Sequence, residues 1–248
     1  MSNKATAILL TFTLNSFASY CYTQNTPLLE YVAQYEASAN GLAATATRSL
    51  SKIDESSYRL SNSLEASIAG QALANLEQAS EFIIDGKRVV PLNYSYQLSG
   101  VSRASHAIFF NWDAEVALST EGDESWQLHL KEGVMDQLSY QVAIRQALID
   151  NTEDETNFLF GIVDGDAIQM QEYRLVGEEI ISTPLGELST LKLERVREAS
   201  DERVTEIWLA IEWNFLLTRI EQLNSSGLRI SLELKSAVLD GNTVRGTN

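Results

Sequence analysis

Most of the chain alternates apolar and polar residues with a period of two, the spacing that sends successive side chains to opposite faces of a strand. Leu29, Tyr31, Ala33, Tyr35 and Ala37 share one face. Asn40-Gly41 then marks a tight hairpin turn, and Leu42, Ala44 and Ala46 carry the apolar face back. Tyr58, Leu60, Asn62 and Leu64 form the next alternation. Asp85-Gly86 signals a second hairpin, with Phe82 and Ile84 before it and Val90 after it; Leu92, Tyr94, Tyr96 and Leu98 follow. Ile108, Phe110 and Trp112 share a face, Val116 and Leu118 another, and Trp126, Leu128 and Leu130 return after Glu121-Gly122-Asp123. Later alternations are Ile168, Met170 and Glu172; Leu191, Leu193 and Arg195; Ile207 and Leu209; and Leu228, Ile230, Leu232 and Leu234. Turn signals recur about every ten residues, which predicts a meander, sandwich or open barrel.

One segment has helical spacing instead. Met135, Leu138, Val142 and Ile149 predict an amphipathic helix from Asp136 to Asp150, with Asp136 as N-cap or first-turn acid. Ala72 to Ser80 fits both a helix and a strand. No linker or internal repeat divides the chain, so residues 19–239 read as one β-rich domain, followed by a polar, frayed tail at 240–248.

Charge narrows the partners. Among 248 residues, 34 are Asp or Glu and 18 Lys or Arg, a formal charge of -16. Such a field repels nucleic acid and disfavours anionic headgroups. No run approaches the ~18 apolar residues of a membrane helix, so no membrane span is expected. The first residues have a different character. Lys4 is followed by the apolar run Ala5 to Leu14, and Ser16-Phe17-Ala18 offers small residues for a cut after Ala18. Residues 1–18 therefore read as a cleaved signal peptide, delivering a soluble chain to the periplasm. Tyr20 before Cys21 argues against a lipid anchor at that cysteine. A lone Cys excludes an internal disulfide, though Cys21 is free to pair between chains.

Several local patterns occur in a characteristic order: Tyr35-Glu36-Ala37 with Asn40-Gly41; Pro91 opening a strand; Phe110-Asn111-Trp112; Asp136-Gln137-Leu138-Ser139-Tyr140; Gly177-Glu178-Glu179 through Thr183-Pro184-Leu185-Gly186; and Trp208 followed by Arg219-Ile220 and Ser226-Gly227-Leu228. From Tyr35 to about Leu239 the chain resembles the bacterial domain of unknown function 3108 family. The resemblance implies an exported protein with a curved antiparallel sheet, similar to envelope carriers of lipoproteins, and implies no activity. Leu217 and Thr218 fill a region where the family tends to have Pro, so a less kinked strand entry is expected. The expected fold is mainly β: a curved antiparallel sheet or open barrel with one amphipathic helix packed across it.

Catalytic signals are sparse. His106 shares a face with Ile108, while His129 faces away from Leu128 and Leu130. A hydrolase needs one of them beside a nucleophile or carboxylate; Ser105 and Ser139 are the serines considered, and no Gly-x-Ser-x-Gly elbow exists. Asp164-Gly165-Asp166 lacks the remaining ligands of a calcium loop and reads as a hairpin turn, and Glu153-Asp154-Glu155 reads as a solvated loop. Glu178 and Glu179 are adjacent in a strand, face opposite sides, and cannot act as a carboxylate pair. No metal site or cofactor is expected. Aromatic residues supply a different idea: Tyr94, Tyr96, Phe110, Trp112, Trp126 and Trp208 on a curved sheet suit an apolar pocket for acyl chains or lipoprotein tails. Binding of an apolar or envelope-derived ligand leads; an envelope interaction protein and a hydrolase of envelope material are the alternatives.

Overall fold

The period-two segments become strands joined mostly by short turns. The structure, a computed structural model, describes residues 27–39, 42–68, 71–150, 156–196, 204–223, 227 and 229–247. The expected leader, Cys21, the Asn40-Gly41 turn, Glu153-Asp154-Glu155 and Leu228 lie outside the described residues. The first strands are β1 (Tyr31–Ala39), β2 (Leu42–Lys52), β3 (Ser57–Ile68), β4 (Gln71–Asp85) and β5 (Arg88–Gly100). They continue as β6 (Ala104–Asn111), β7 (Val116–Glu121), β8 (Glu124–His129) and a short β9 (Val134–Met135). Helix α1 (Ser139–Ile149) follows, then β10 (Asn157–Asp164), β11 (Ala167–Thr183), β12 (Gly186–Arg195) and β13 (Val204–Ala210). A 3-10 turn (Ile211–Trp213) precedes β14 (Leu216–Leu223), β15 (Arg229–Leu239) and β16 (Asn242–Thr243).

All sixteen strands belong to one sheet, ordered from β8 back to β1 and then from β15 back to β9, with β16 on β15. Every neighbouring pair is antiparallel except β9 with β10, and a parallel pair needs a crossover, which α1 supplies. The strands β8 and β9 stand at opposite ends of this order, yet only residues 130–133 separate them in sequence. Five Cα steps span at most ~18 Å, so the two edges approach each other. The single sheet is thus curled into an open barrel, as the alternation and the resemblance led one to expect.

Inside the curl lies α1. Tyr140, Val142, Ile144, Arg145 and Gln146 are all buried, more than one apolar stripe would require, because the helix touches β4 and β5 on one wall and β10 on the other. Its start is bonded to the wall at Ser80, and that end of the strands is the helix end; the opposite end is the mouth. Residues 72–80 are strand, since β4 is paired along its length to both β3 and β5 and pairing overrides a loose local pattern.

Three readings of the faces and one of a strand entry are corrected by the register. On β11 the buried residues are Gln171 and Tyr173, while Met170 is 62% exposed. On β7 the buried pair is Ala117 and Ser119, and Leu118 points outward opposite Phe109. On β5 the face changes parity: Glu81 pairs with Asn93 but Phe82 pairs with Pro91, so Leu92 is an extra, bulged residue. Val89 and Pro91 therefore point in before it, and Tyr94 after it, rather than Val90. The strand entry at Leu217-Thr218 also carries a bulge, with Thr218 as the extra residue and its hydroxyl donating to the Trp208 carbonyl at 2.8 Å. The chain is irregular there without Pro.

The tail expected to fray packs back instead. Val244 is fully buried, its N–H donates to the Ala237 carbonyl, and Thr247 exchanges two backbone bonds with Glu187.

Candidate ligand-binding cavity

Register, not sequence proximity, assembles the interior. Across six strands the inward residues at one level are directly opposed: Arg48 to Asn62, Asn62 to Gln78, Gln78 to Tyr96, Tyr96 to His106, and His106 to Glu121. They form a polar belt around one wall. The next inward row toward the mouth is Tyr35, Ala46, Leu64, Leu76, Leu98 and Ala104; the next toward the helix end is Tyr31, Leu50, Leu60, Ser80, Tyr94 and Ile108. A polar belt thus lies between two largely apolar rows.

The belt, most of the row toward the mouth, and Tyr94 from the row toward the helix end line a cavity of about 550 Å³, within the usual range of small-molecule sites. Ile207, Ile220 and Leu232, opposed in register, give it a second apolar wall. Gln171, Tyr173 and Arg195 add polar groups, and Leu138, Tyr140 and Gln141 at the start of α1 form its floor.

Arg48 is 6% exposed. Ala33 stands opposite it on β1 and leaves room for the long side chain. Its Nε donates to the Tyr31 hydroxyl at 2.9 Å. Among the described residues no carboxylate pairs with Arg48 or with Arg195. Asn62 donates weakly to Gln78 at 3.4 Å, and Gln78 donates to the Tyr94 hydroxyl at 3.2 Å. Among the described residues the buried Asn62 Oδ1 has no partner. Burial pushes the Tyr94 and Tyr96 phenols up from their ordinary range, so both stay protonated.

His106 is half-buried, with Nε2 3.1 Å from the Ser119 hydroxyl and its ring edge-on to Tyr94 at 5.6 Å. Burial lowers its pKa, against the opposing pull of Glu121 and Asp164. The hydroxyl beside His106 belongs to neither Ser105 nor Ser139 but to Ser119, two strand positions from Glu121. The Ser119 side chain is fully buried, and β7 is hydrogen-bonded on both sides. Its backbone N–H groups therefore have no freedom to build an oxyanion site. His129 is exposed.

The helix start is held by Asp136. Its Oδ1 accepts the N–H groups of Leu138 and Ser139 at 2.8 and 2.9 Å, and the Ser139 hydroxyl accepts the Asp136 N–H at 2.9 Å. This reciprocal cap satisfies donors the helix itself leaves free. Burial raises the Asp136 pKa, and the hydrogen bonds from Ser139, Ser80 and Leu138 oppose that shift. Farther along, Arg145 stacks over Tyr31 at 5.0 Å and donates to the Asn214 carbonyl, the Asn214 side chain and the Leu29 carbonyl. Burial draws its pKa down to about 10, which leaves it charged at neutral pH.

Of the six aromatic candidates, Tyr94 and Tyr96 line the cavity. Phe110 and Trp112 stack on each other at 6.1 Å nearer the helix end, where Trp112 borders a separate groove of about 570 Å³. Trp126 is half-buried on the edge strand β8. Trp208 alternates with the cavity residue Ile207 and so points to the opposite face; Lys192 and Arg219 lie over its ring and its N–H donates to Glu179. Arg48, Asn62, Gln78, Gln171 and Arg195 were not singled out by the sequence reading. The signal was present: Asn62 sits on apolar parity between Leu60 and Leu64, and Arg195 on the parity of Leu191 and Leu193. Asp164-Gly165-Asp166 is a hairpin turn, with Asp164 paired to Ala167. The described residues contain no cluster of three metal-ligating side chains, and no helix among them is long and apolar enough to cross a membrane.

The family model described as protein of unknown function (DUF3108) matches residues 31–233. No curated protein matches the chain. Among solved structures, a beta-barrel-like protein of domain of unknown function DUF1849 from Brucella abortus is similar, with a TM-score of 0.55 at 7% identity over 86% of this chain and 98% of that one. At this identity the likeness concerns the fold alone. A candidate exported protein with a YmcC-like fold from Bacteroides fragilis matches more distantly, with a TM-score of 0.36 at 10% identity over 84% and 95% of the two chains.

Proposed function

The chain belongs to the DUF3108 family of proteins of unknown function, and on that premise we propose that it is an exported, periplasmic binding protein that holds an envelope-derived amphiphile inside its curled sheet. The observation that carries this reading is the layered cavity of about 550 Å³. Apolar rows at Leu64 and Leu76 and at Ile220 and Leu232 suit a hydrocarbon part, and the belt from Arg48 to Glu121 suits a polar part. A wholly apolar ligand would leave the belt desolvated and unpaired, which is costly. The leader-like residues 1–18 support export. The buried, ladder-bound Ser119 favours binding over hydrolysis at the His106 pair.

A second reading has its own observation. The edge strands β8 and β9 lie at the two approaching ends of an unclosed sheet, and such edges accept an added strand from a partner.

The test is to purify the protein from an envelope fraction and compare native with denaturing mass spectra. A lipid or acyl species released on denaturation, from a chain beginning at Ser19, is the expected result. A ligand-free native mass overturns the carrier reading and moves the weight to the strand edges, with a partner pull-down to follow.

A further inference from the structure

We propose that Arg48 is the binding site for an anionic group at one end of that amphiphile, and that Asn62 receives a hydrogen-bond donor next to the anion. This rests on the reading of the interior as a ligand cavity. Arg48 is 94% buried by its 6% exposure and lines the cavity. A buried charge is ordinarily paired, because desolvating it alone costs several kcal/mol. Yet among the described residues Arg48 has one hydrogen bond, from Nε to Tyr31, and no carboxylate partner. The two terminal nitrogens of its guanidinium remain, in the fork geometry that matches a carboxylate or phosphate.

The second observation is independent. Asn62 sits directly opposite Arg48 on the neighbouring strand, and its buried Oδ1 has no donor among the described residues. A free cation and a free acceptor side by side ask for a ligand that carries an anion and an adjacent hydroxyl or amide N–H. Arg195, also without an ion pair among the described residues, lines the same cavity. Glu121 and Asp164 face the cavity near His106 instead, so the interior is polarised, with its cations apart from its acids.

Delipidated full-length protein is titrated with N-palmitoylglycine, which has the carboxylate, the amide N–H and the chain, and with its neutral carboxamide, N-palmitoylglycinamide. The expected result is a preference of about tenfold or more for the acid, the scale of one charge-assisted hydrogen bond. Arg48→Gln removes that preference while leaving the melting temperature unchanged or higher, since an unpaired buried charge is lost. Asn62→Asp places a carboxylate opposite Arg48, and it too abolishes the preference while raising the melting temperature; it serves as the readout should Arg48→Gln fail to fold. Equal binding of both lipids, indifferent to Arg48, overturns the anion site and leaves the cavity reading intact. Binding of neither lipid overturns both. Inorganic phosphate alone binding as tightly as N-palmitoylglycine, in an Arg48-dependent way, shows a free-anion site and overturns the amphiphile.

Discussion

Ser80 on β4 donates its hydroxyl to Asp136 Oδ2 at 2.7 Å, and both side chains are fully buried. The same carboxylate caps α1 through its other oxygen. One residue therefore joins the helix start to the wall of the barrel, and the floor of the cavity is positioned by that join.

Asp136→Ala strips the cap and leaves the Ser80 hydroxyl and two N–H groups unpaired in a buried site. A loss of about 2–4 kcal/mol is expected, combining a lost cap with an unsatisfied buried group. Urea denaturation of the variant beside Ser80→Ala measures it; equal, small losses in both variants would show that the carboxylate has no special place. Asp136→Asn keeps an acceptor for the cap and is expected to cost less.

His106 makes stability depend on pH in a definite direction. Burial lowers its folded pKa below the ordinary 6.5, so the unfolded chain binds the proton first. The His106 contribution is complete above about pH 6.5 and is lost as pH falls from there toward the lowered folded value. His106→Gln, which retains a hydrogen-bonding group for Ser119, should flatten this part of a melting-temperature profile between pH 7 and 5. A profile unchanged by the substitution overturns the assignment.

The faces of β11 give a clean contrast. Met170 is 62% exposed, while Tyr173 is 2% exposed and stacks on Tyr140 at 5.0 Å. Met170→Lys should leave stability within about 0.5 kcal/mol. Tyr173→Ala should cost about 3 kcal/mol and loosen the cavity floor. Thermal unfolding of the pair decides it, and the reverse order would place the strand one residue out of register.

Local patterning was a good guide wherever a residue's neighbours in sequence were also its neighbours in space. The alternation Tyr31, Ala33, Tyr35 and Ala37 is buried as read. The helix at 139–149 and the hairpin at Asp164 to Ala167 also stand where spacing and turn chemistry put them. It was a poorer guide past a bulge. On β15, Gln34 pairs with Ser236 but Tyr35 with Leu234, so an extra residue moves the inward face from Leu234 to Ala237 and Leu239. A period-two pattern carries no mark of such an insertion until the partner strand is known. The aromatic candidates show the same limit: Tyr96 and Trp208 look alike as strand aromatics, yet only Tyr96 faces the cavity.

By itself the sequence determined the strand-rich class, the helix with Asp136 at its start, the family, and the net acidity. Those depend on periods of two and 3.6, on cap and turn residues, and on net charge, all of which are local or summed quantities. Only the tertiary structure decided that Arg48, Asn62, Gln78, Tyr96, His106 and Glu121 form one belt. These six residues come from six strands and are brought level by hydrogen-bond register. An unpaired charge can be recognised only once every neighbour that might have paired with it is in place.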